Sequence, residues 1–222
     1  MKKISILNLY SSLGGNRYKW DEVADEAGVE IEVTAVELDE KLAELYQKRF
    51  PKDKVIVADA HSFLLSNYRE YSEGMVWSSP PCPTHSKSRF ARRETTESKY
   101  PDLKLYEEII FLDKWFKGKY VVENVIPYYE PLIPAQKRGR HLYWSNIRMP
   151  NILSERKCSI MEGKDEVTEW CKFHDYDFRL YKGTQRTDKI ARNLVDYEAG
   201  KTILEIAFGI IKQRNIEQTK LF

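Results

Sequence analysis

Short β-rich runs alternate with longer helical patterns over the first 125 residues, and this alternation constrains the fold more than any other feature. The β-rich runs predict strands at 4–10, 31–37, 55–59, 74–80 and 119–125, and helical spacing is found at 17–28, 39–50 and 105–116. Consecutive parallel strands need a crossover connection, and an amphipathic helix supplies one. The sequence therefore predicts an α/β protein with a doubly wound, mostly parallel sheet and helices on both faces.

The second half of the chain is less regular. Prolines interrupt the stretch after the fifth strand, a further strand is predicted at 140–146, and an amphipathic helix is predicted at 200–213. The stretch 147–185 is polar and poorly periodic, which indicates a short insertion rather than a domain with its own core. We expect one domain formed by 1–146 and 186–222, with 147–185 as a variable insertion.

The composition excludes several classes of protein. The 222 residues include 36 Lys and Arg against 34 Asp and Glu, and a net charge of +2 excludes a histone-like polycation. With 42% hydrophobic residues the chain can fill a core, and its most apolar run, 203–211, is too short for a membrane span. Cys82, Cys158 and Cys171 are too few for a disulfide framework, which indicates a reducing, cytoplasmic location.

Polar residues and glycines follow the first three predicted strands. In a doubly wound sheet the ligand lies at the carboxyl ends of the strands, where this chain has Gly14 and Gly15, then Glu37, then Asp59. Each feature alone is typical of a turn or a helix cap. Their occurrence on consecutive strands indicates a cofactor that contains a nucleoside, and the lack of a GxGxxG motif disfavours NAD.

The fourth and fifth strands end in residues suited to covalent chemistry. The loop SSPPCPTHS presents Cys82 between prolines that restrict the backbone, and the fifth strand contains Glu123 followed by Asn124. A lone cysteine is typically a small buried hydrophobic residue. Here its position beside a carboxylate predicts a nucleophile with a neighbouring acid.

The motifs LYSSLGG, VELD, ADA, PPC, ENV, QKRGR and RNLVDYEAG occur in that order, and the set resembles the cytosine-C5 DNA methyltransferases. The resemblance covers the chain outside about 147–185. It implies a Rossmann-like class I methyltransferase fold, S-adenosylmethionine as the cofactor, and a cysteine that attacks a cytosine flipped out of double-stranded DNA.

The resemblance also assigns roles to individual residues. It implies that Cys82 is the nucleophile at C6 of cytosine, that Glu123 acts at N3, and that Arg140 lies at O2 and near Glu123. Glu37 would bind the ribose hydroxyls and Asp59 the adenine amino group. The expected cofactor-binding residues are Tyr10, Gly14, Gly15, Glu37, Leu38, Asp59, Ala60, Pro80 and Asn193.

A basic loop follows the nucleophile, and in the family the matching loop closes over the DNA backbone. Cationic side chains at this place would contact phosphates and give affinity without reading sequence. For Arg138 the alternative is a role in holding its own loop. The expected DNA-binding residues are Ser86, Lys87, Ser88, Arg89, Arg92, Arg93 and Arg138.

The sequence departs from the family pattern at a few positions. Ser12 replaces a glycine, Pro83 a glutamine and Tyr197 a proline, and none of these changes removes a catalytic group. The short insertion leaves target recognition reduced, or supplied by a helper subunit or a second copy. Cys171 and His174 have the spacing of half a zinc site, but too few ligands are visible and no metal is predicted.

Two alternatives remain open from the sequence. The same chemistry on RNA is the first, because one catalytic pocket accepts a cytosine from either polymer. The second is a non-catalytic protein that retains the cofactor site and works with a partner.

Overall fold

The computed structural model describes residues 1–92, 94–95, 97, 99–151, 153 and 166–211. Its seven-stranded sheet has the order β3-β2-β1-β4-β5-β7-β6, in which β1 to β5 are parallel and β7 is antiparallel to both of its neighbours. The predicted α/β fold is confirmed. The strands are β1 Lys2–Leu9, β2 Val29–Glu37, β3 Lys54–Val57, β4 Met75–Ser78, β5 Lys119–Val125, β6 Gln136–Arg138 and β7 His141–Ser145.

The helices that the sequence predicted are present, and shorter ones are found as well. The last helix shows how a cap sets a helix boundary. It ends at Phe208 because Gly209, with a φ of 79°, adopts the left-handed conformation of a C-cap. The helices are α1 Trp20–Ala27, α2 Glu40–Arg49, α3 Ala60–Asn67, α4 Lys87–Ala91, α5 Lys104–Trp115, α6 Glu166–His174, α7 Thr187–Asn193 and α8 Tyr197–Phe208.

Both faces of the sheet are covered. Alternate residues of β4 face opposite sides, so Trp77 packs with α1 and α8 whereas Val76 packs with α3 and α5. The same alternation separates Ile6 from Leu7 on β1. Because both faces are buried, the middle of each central strand is a run of mainly apolar residues, such as Met75–Trp77 in β4 and Tyr120–Val122 in β5.

The segment after β7 shares the core of the main domain. Met149 and Leu153 are buried with α8, and Trp170 and Phe178 are buried against Leu13 and other residues of the loop after β1 and of α2. These aromatic rings therefore serve packing, as expected for a short insertion. Within the described residues no helix is long and apolar enough to cross a membrane.

Candidate active site

A cavity of about 780 Å³ opens at the carboxyl ends of β1 to β4. Its volume lies in the usual range for a small-molecule site. Residues that directly follow four successive strands form one side of it, and α7 with the loop before it forms the other. Seven of the nine residues predicted to bind the cofactor line this cavity: Tyr10, Glu37, Leu38, Asp59, Ala60, Pro80 and Asn193.

The carboxylate of Glu37 is held in place by the backbone. One oxygen accepts from the amide of Ser12 at 2.8 Å, and the other accepts from the amide of Asp39 at 2.9 Å. Burial raises the pKa of Glu37, and these hydrogen bonds oppose the increase. Each oxygen keeps a lone pair, so the oriented carboxylate can still accept from two ligand hydroxyls.

Asp59 caps the amino end of α3, because its side chain accepts from the amide of Ser62 at 2.8 Å. This hydrogen bond lowers the pKa of Asp59, so the group is a charged acceptor at neutral pH. Leu38 also lines the cavity and is 68% exposed. An apolar side chain near an acceptor suits a purine ring that bears an amino group.

Behind the lining residue Tyr10 lies a fully buried carboxylate, Glu108. It accepts from the hydroxyl of Tyr10 at 2.5 Å and from that of Ser78 at 2.6 Å, and Nδ1 of His61 lies 3.1 Å away. The contact with Glu108 raises the pKa of His61. Tyr10 has a φ of 55°, a strained backbone for a bulky residue, and the hydrogen bond helps to keep it there.

Gly14 and Gly15 are not among the residues that line the cavity. A side chain on Gly14 would clash with the rings of Tyr46 and Phe50, and one on Gly15 would clash with the backbone of Val195. We expected glycine at these two positions because it would let the backbone approach a cofactor, but the structure gives a different reason for it. Close packing of the protein against itself requires them.

The loop that carries Cys82 is fixed by its neighbours. The amide of Asn124 on β5 donates to the carbonyl of Pro80 at 2.9 Å, and the amides of His85 and Ser86 donate to the carbonyl of Cys82 at 3.0 and 3.1 Å. The asparagine of the ENV motif thus ties the loop of Cys82 to β5. The Cys82 side chain is partly accessible, as a nucleophile requires.

Cys82 lies in an environment that disfavours its charged form. Burial raises the pKa of the thiol, and the carboxylate of Glu123 raises it further, whereas Lys189 on α7 acts to lower it. Because the ordinary thiol pKa of 9.0 is raised, the Cys82 thiol is largely protonated at neutral pH. Only the thiolate is nucleophilic, so the free protein holds this cysteine in its less reactive form.

Arg140, which the family resemblance placed near Glu123, is not in contact with that residue. It lies at the tip of the two-residue turn between β6 and β7, where Gly139 has a φ of 56°, and its side chain is exposed. Within the described residues it makes no ion pair with Glu123. Nε2 of His141 lies 3.4 Å from Oε1 of Glu123 instead, and this contact had no signal in the sequence.

The expected nucleic-acid residues divide into two groups. Arg138 donates to the carbonyls of Met149 and Pro150, so it holds its own hairpin to the chain that follows. The others form a short segment next to the nucleophile, anchored where the ring of Phe90 stacks on Tyr128 at 4.5 Å. This segment contains Ser86, Lys87, Ser88, Arg89 and Arg92, and Arg93 lies outside the described residues.

The loop between α6 and α7 closes over the cavity, which the sequence did not predict. Tyr181, Thr184 and Gln185 line it, and two of them are tied to α2. The hydroxyl of Tyr181 donates to Asp39 at 2.7 Å, and the amide of Gln185 donates to the same oxygen at 3.0 Å. The sequence of this loop has no periodic pattern. Its position just before the RNLVDYEAG motif is the one sequence feature that could have indicated a place at the cavity.

The half zinc motif is not assembled into a metal site in the described part of the chain. His174 is buried among aromatic rings, whereas Sγ of Cys171 lies 3.7 Å from Asp177. No group of three potential ligands occurs among the described residues, and Cys158 lies outside them.

Comparison with known proteins identifies the fold and the family. A methyltransferase from Entamoeba histolytica, EhMeth, superposes with a TM-score of 0.58 at 12% identity, covering 96% of this chain and 100% of that one. A mutant of DNMT2 from Spodoptera frugiperda gives 0.53 at 15% identity, covering 92% and 99%. A search of curated proteins finds no match.

The family assignment comes from residues 4–127, which match the model of the C-5 cytosine-specific DNA methylases over more than half of the chain. That segment runs from β1 to just beyond β5 and includes both Cys82 and Glu123. This chain belongs to the C-5 cytosine-specific DNA methylase family, whose members methylate cytosine at C5 with S-adenosylmethionine as the methyl donor.

Proposed function

We propose that this protein is a DNA cytosine-C5 methyltransferase that acts on a flipped-out cytosine through a covalent Cys82 adduct. The observation that carries the proposal is a cavity suited to a nucleoside cofactor at the carboxyl ends of the strands, next to a Cys82 loop that Asn124 ties to β5, the strand of Glu123. A binding protein without catalysis would have no need of a cysteine and a carboxylate at this place.

The chemistry begins with a bond between sulfur and carbon. The Cys82 thiolate adds to C6 of cytosine while Glu123 donates a proton to N3, so that negative charge does not build up on the ring. C5 becomes nucleophilic, and S-adenosylmethionine held at Glu37 and Asp59 would supply the methyl group, with S-adenosylhomocysteine as the second product. Loss of the C5 proton to water, return of the N3 proton and release of Cys82 then restore the aromatic ring.

The cavity residues fit this cofactor. Glu37 would accept from the two ribose hydroxyls, and Asp59 would accept from the adenine amino group with Leu38 against the ring. Tyr10, Ala60, Pro80 and Asn193 would complete the pocket. The backbone hydrogen bonds to both carboxyl groups support these roles, because each group is already oriented before a ligand arrives.

Exposed cations next to the nucleophile support binding of a polynucleotide. Lys87, Arg92 and the hairpin residue Arg140 are exposed, and phosphate contacts of this kind are insensitive to base sequence. Nothing in these contacts distinguishes deoxyribose from ribose. Double-stranded DNA is proposed from the family, and RNA is the alternative outcome of the experiment below.

We expect 5-methyldeoxycytidine to appear in the DNA of cells that express the wild-type chain and to be absent with Cys82→Ala. Nucleosides from DNA and from RNA are measured by mass spectrometry, in a host without its own cytosine-C5 DNA methylation. Methylation confined to RNA would overturn the DNA assignment and keep the chemistry. If neither polymer is methylated while the pure protein binds S-adenosylmethionine, the enzyme needs a helper subunit or is a binding protein.

Tyr181→Phe should weaken binding of S-adenosylhomocysteine about 3- to 10-fold. The change removes one hydrogen bond to a carboxylate, about 1.5–3 kcal/mol at most, and loosens the loop over the cavity. Isothermal titration calorimetry measures the Kd, with Tyr100→Phe as control because Tyr100 is 95% exposed. An unchanged Kd for Tyr181→Phe would mean that the loop does not cover the bound cofactor.

A further inference from the structure

Strand β7 brings an imidazole to the carboxyl group that acts on the substrate. Nε2 of His141 lies 3.4 Å from Oε1 of Glu123, with the two side chains 26% and 10% exposed. In the antiparallel pair, Glu123 is opposite Tyr143 and Val125 is opposite His141, so all four side chains project from one face. The contact is therefore a diagonal pair fixed by strand register rather than by a loop.

The same register keeps the neighbouring arginines away. Arg138 is opposite His141 on β6, but its guanidinium is bound to backbone carbonyls further along the chain. Arg140 lies in the turn, where its side chain is exposed and only its backbone carbonyl meets β5, through the amide of Ile126. Among the described residues His141 is the one basic side chain in ion-pair distance of Glu123.

We propose that His141 is the positioning residue for Glu123. This inference rests on the proposed function, because it assigns to β7 the control of a group that acts on cytosine N3. By holding Oε1, the imidazole leaves the second carboxyl oxygen available to the substrate and restricts rotation of the group.

The test compares His141→Ala, His141→Gln and Arg140→Ala in the full chain, with methyl transfer measured on the polymer that the wild type methylates. We expect His141→Ala to lower kcat about 10- to 100-fold with little change in KM, since misplacing a reacting group by about 1 Å costs roughly 100-fold. His141→Gln should recover most of kcat, because its amide can donate to the same oxygen. Arg140→Ala should mainly raise KM for the polymer.

A second measurement does not depend on activity. In proton NMR the His141 ring resonance, assigned by its loss in His141→Ala, should move in Glu123→Gln and stay in place in Arg140→Ala. A wild-type protein that methylates neither polymer would leave a helper-dependent enzyme or a binding protein as the function, and the NMR result would still decide whether the pair exists.

Two outcomes would overturn the inference about His141. One is a larger loss of kcat in Arg140→Ala than in His141→Ala, which would mean that the arginine reaches Glu123 when the substrate binds. The other is a His141→Gln variant that folds, shown by an unchanged melting temperature, but is as slow as His141→Ala. That result would mean that hydrogen-bond donation to Glu123 is not what the imidazole contributes.

Discussion

Replacing Glu123 with glutamine should lower kcat for methyl transfer by about 10²- to 10⁴-fold, the usual contribution of a general acid, while making Cys82 a better nucleophile toward small reagents. The two effects have one cause. The Glu123 carboxyl group is that cause: in the proposed reaction its protonated form supplies the proton for cytosine N3, and its charged form raises the pKa of the Cys82 thiol. Glutamine keeps the shape of the side chain, but it removes both the charge and the proton.

The pH dependence of Cys82 alkylation tests the electrostatic half of this prediction. The ordinary thiol pKa is 9.0, and burial together with Glu123 raises it, so the rate of iodoacetamide reaction in the wild type should still be rising above pH 9. In Glu123→Gln the curve should move to lower pH, and the rate at pH 8 should increase. Peptide mass spectrometry separates Cys82 from the other cysteines, and Cys82→Ala provides the blank.

The two readouts must change in opposite directions. Loss of both methyl transfer and alkylation would indicate damage to the loop that holds Cys82, not removal of an acid. Normal methyl transfer in Glu123→Gln would exclude Glu123 as the proton donor. Reduced transfer with unchanged alkylation would mean that the carboxylate is too far from the sulfur to affect its charge.

The positions of the first five strands along the chain and the approximate site could be predicted from sequence because both depend on local patterns. Apolar runs define the buried strands, and the residue that follows each run must lie at the same edge of the sheet. This reasoning located Glu37, Asp59 and Cys82. It missed α3, because its sequence lacks an amphipathic pattern and its amino end is set by the cap at Asp59.

The remaining features depend on contacts between distant parts of the chain. Tyr10 and Glu108 are separated by 98 residues, and neither has a local pattern that indicates a partner. Arg140 was assigned to Glu123 by resemblance, but a one-residue difference along β7 puts His141 on the same face as Glu123 and leaves Arg140 in the turn. Register decides such questions, and side-chain periodicity alone does not specify it across a hairpin.

A buried ion pair between Arg17, which precedes α1, and Asp53, which precedes β3, should give the largest loss of stability. Arg17 donates to both oxygens of Asp53, each at 2.9 Å, and the hydroxyl of Tyr46 donates to one of them at 2.9 Å. The Arg17 and Asp53 side chains are 3% and 2% exposed. Asp53→Asn would leave a buried guanidinium whose remaining partner, Asp21, is 62% exposed.

We expect Asp53→Asn to cost about 3–5 kcal/mol in the free energy of unfolding, the range for breaking a buried pair from one side. For a chain of this length that corresponds to a fall of roughly 10 °C in Tm, measured by circular dichroism. The exposed pair of Lys3 and Glu32 is the matched control, and Glu32→Gln should change stability by less than about 1 kcal/mol.

The double variant Arg17→Met with Asp53→Asn decides between two explanations of such a loss. If the cost comes from an uncompensated buried charge, removing that charge should recover much of the stability lost in Asp53→Asn. If the double variant is no more stable than the single one, the hydrogen bonds themselves hold the structure.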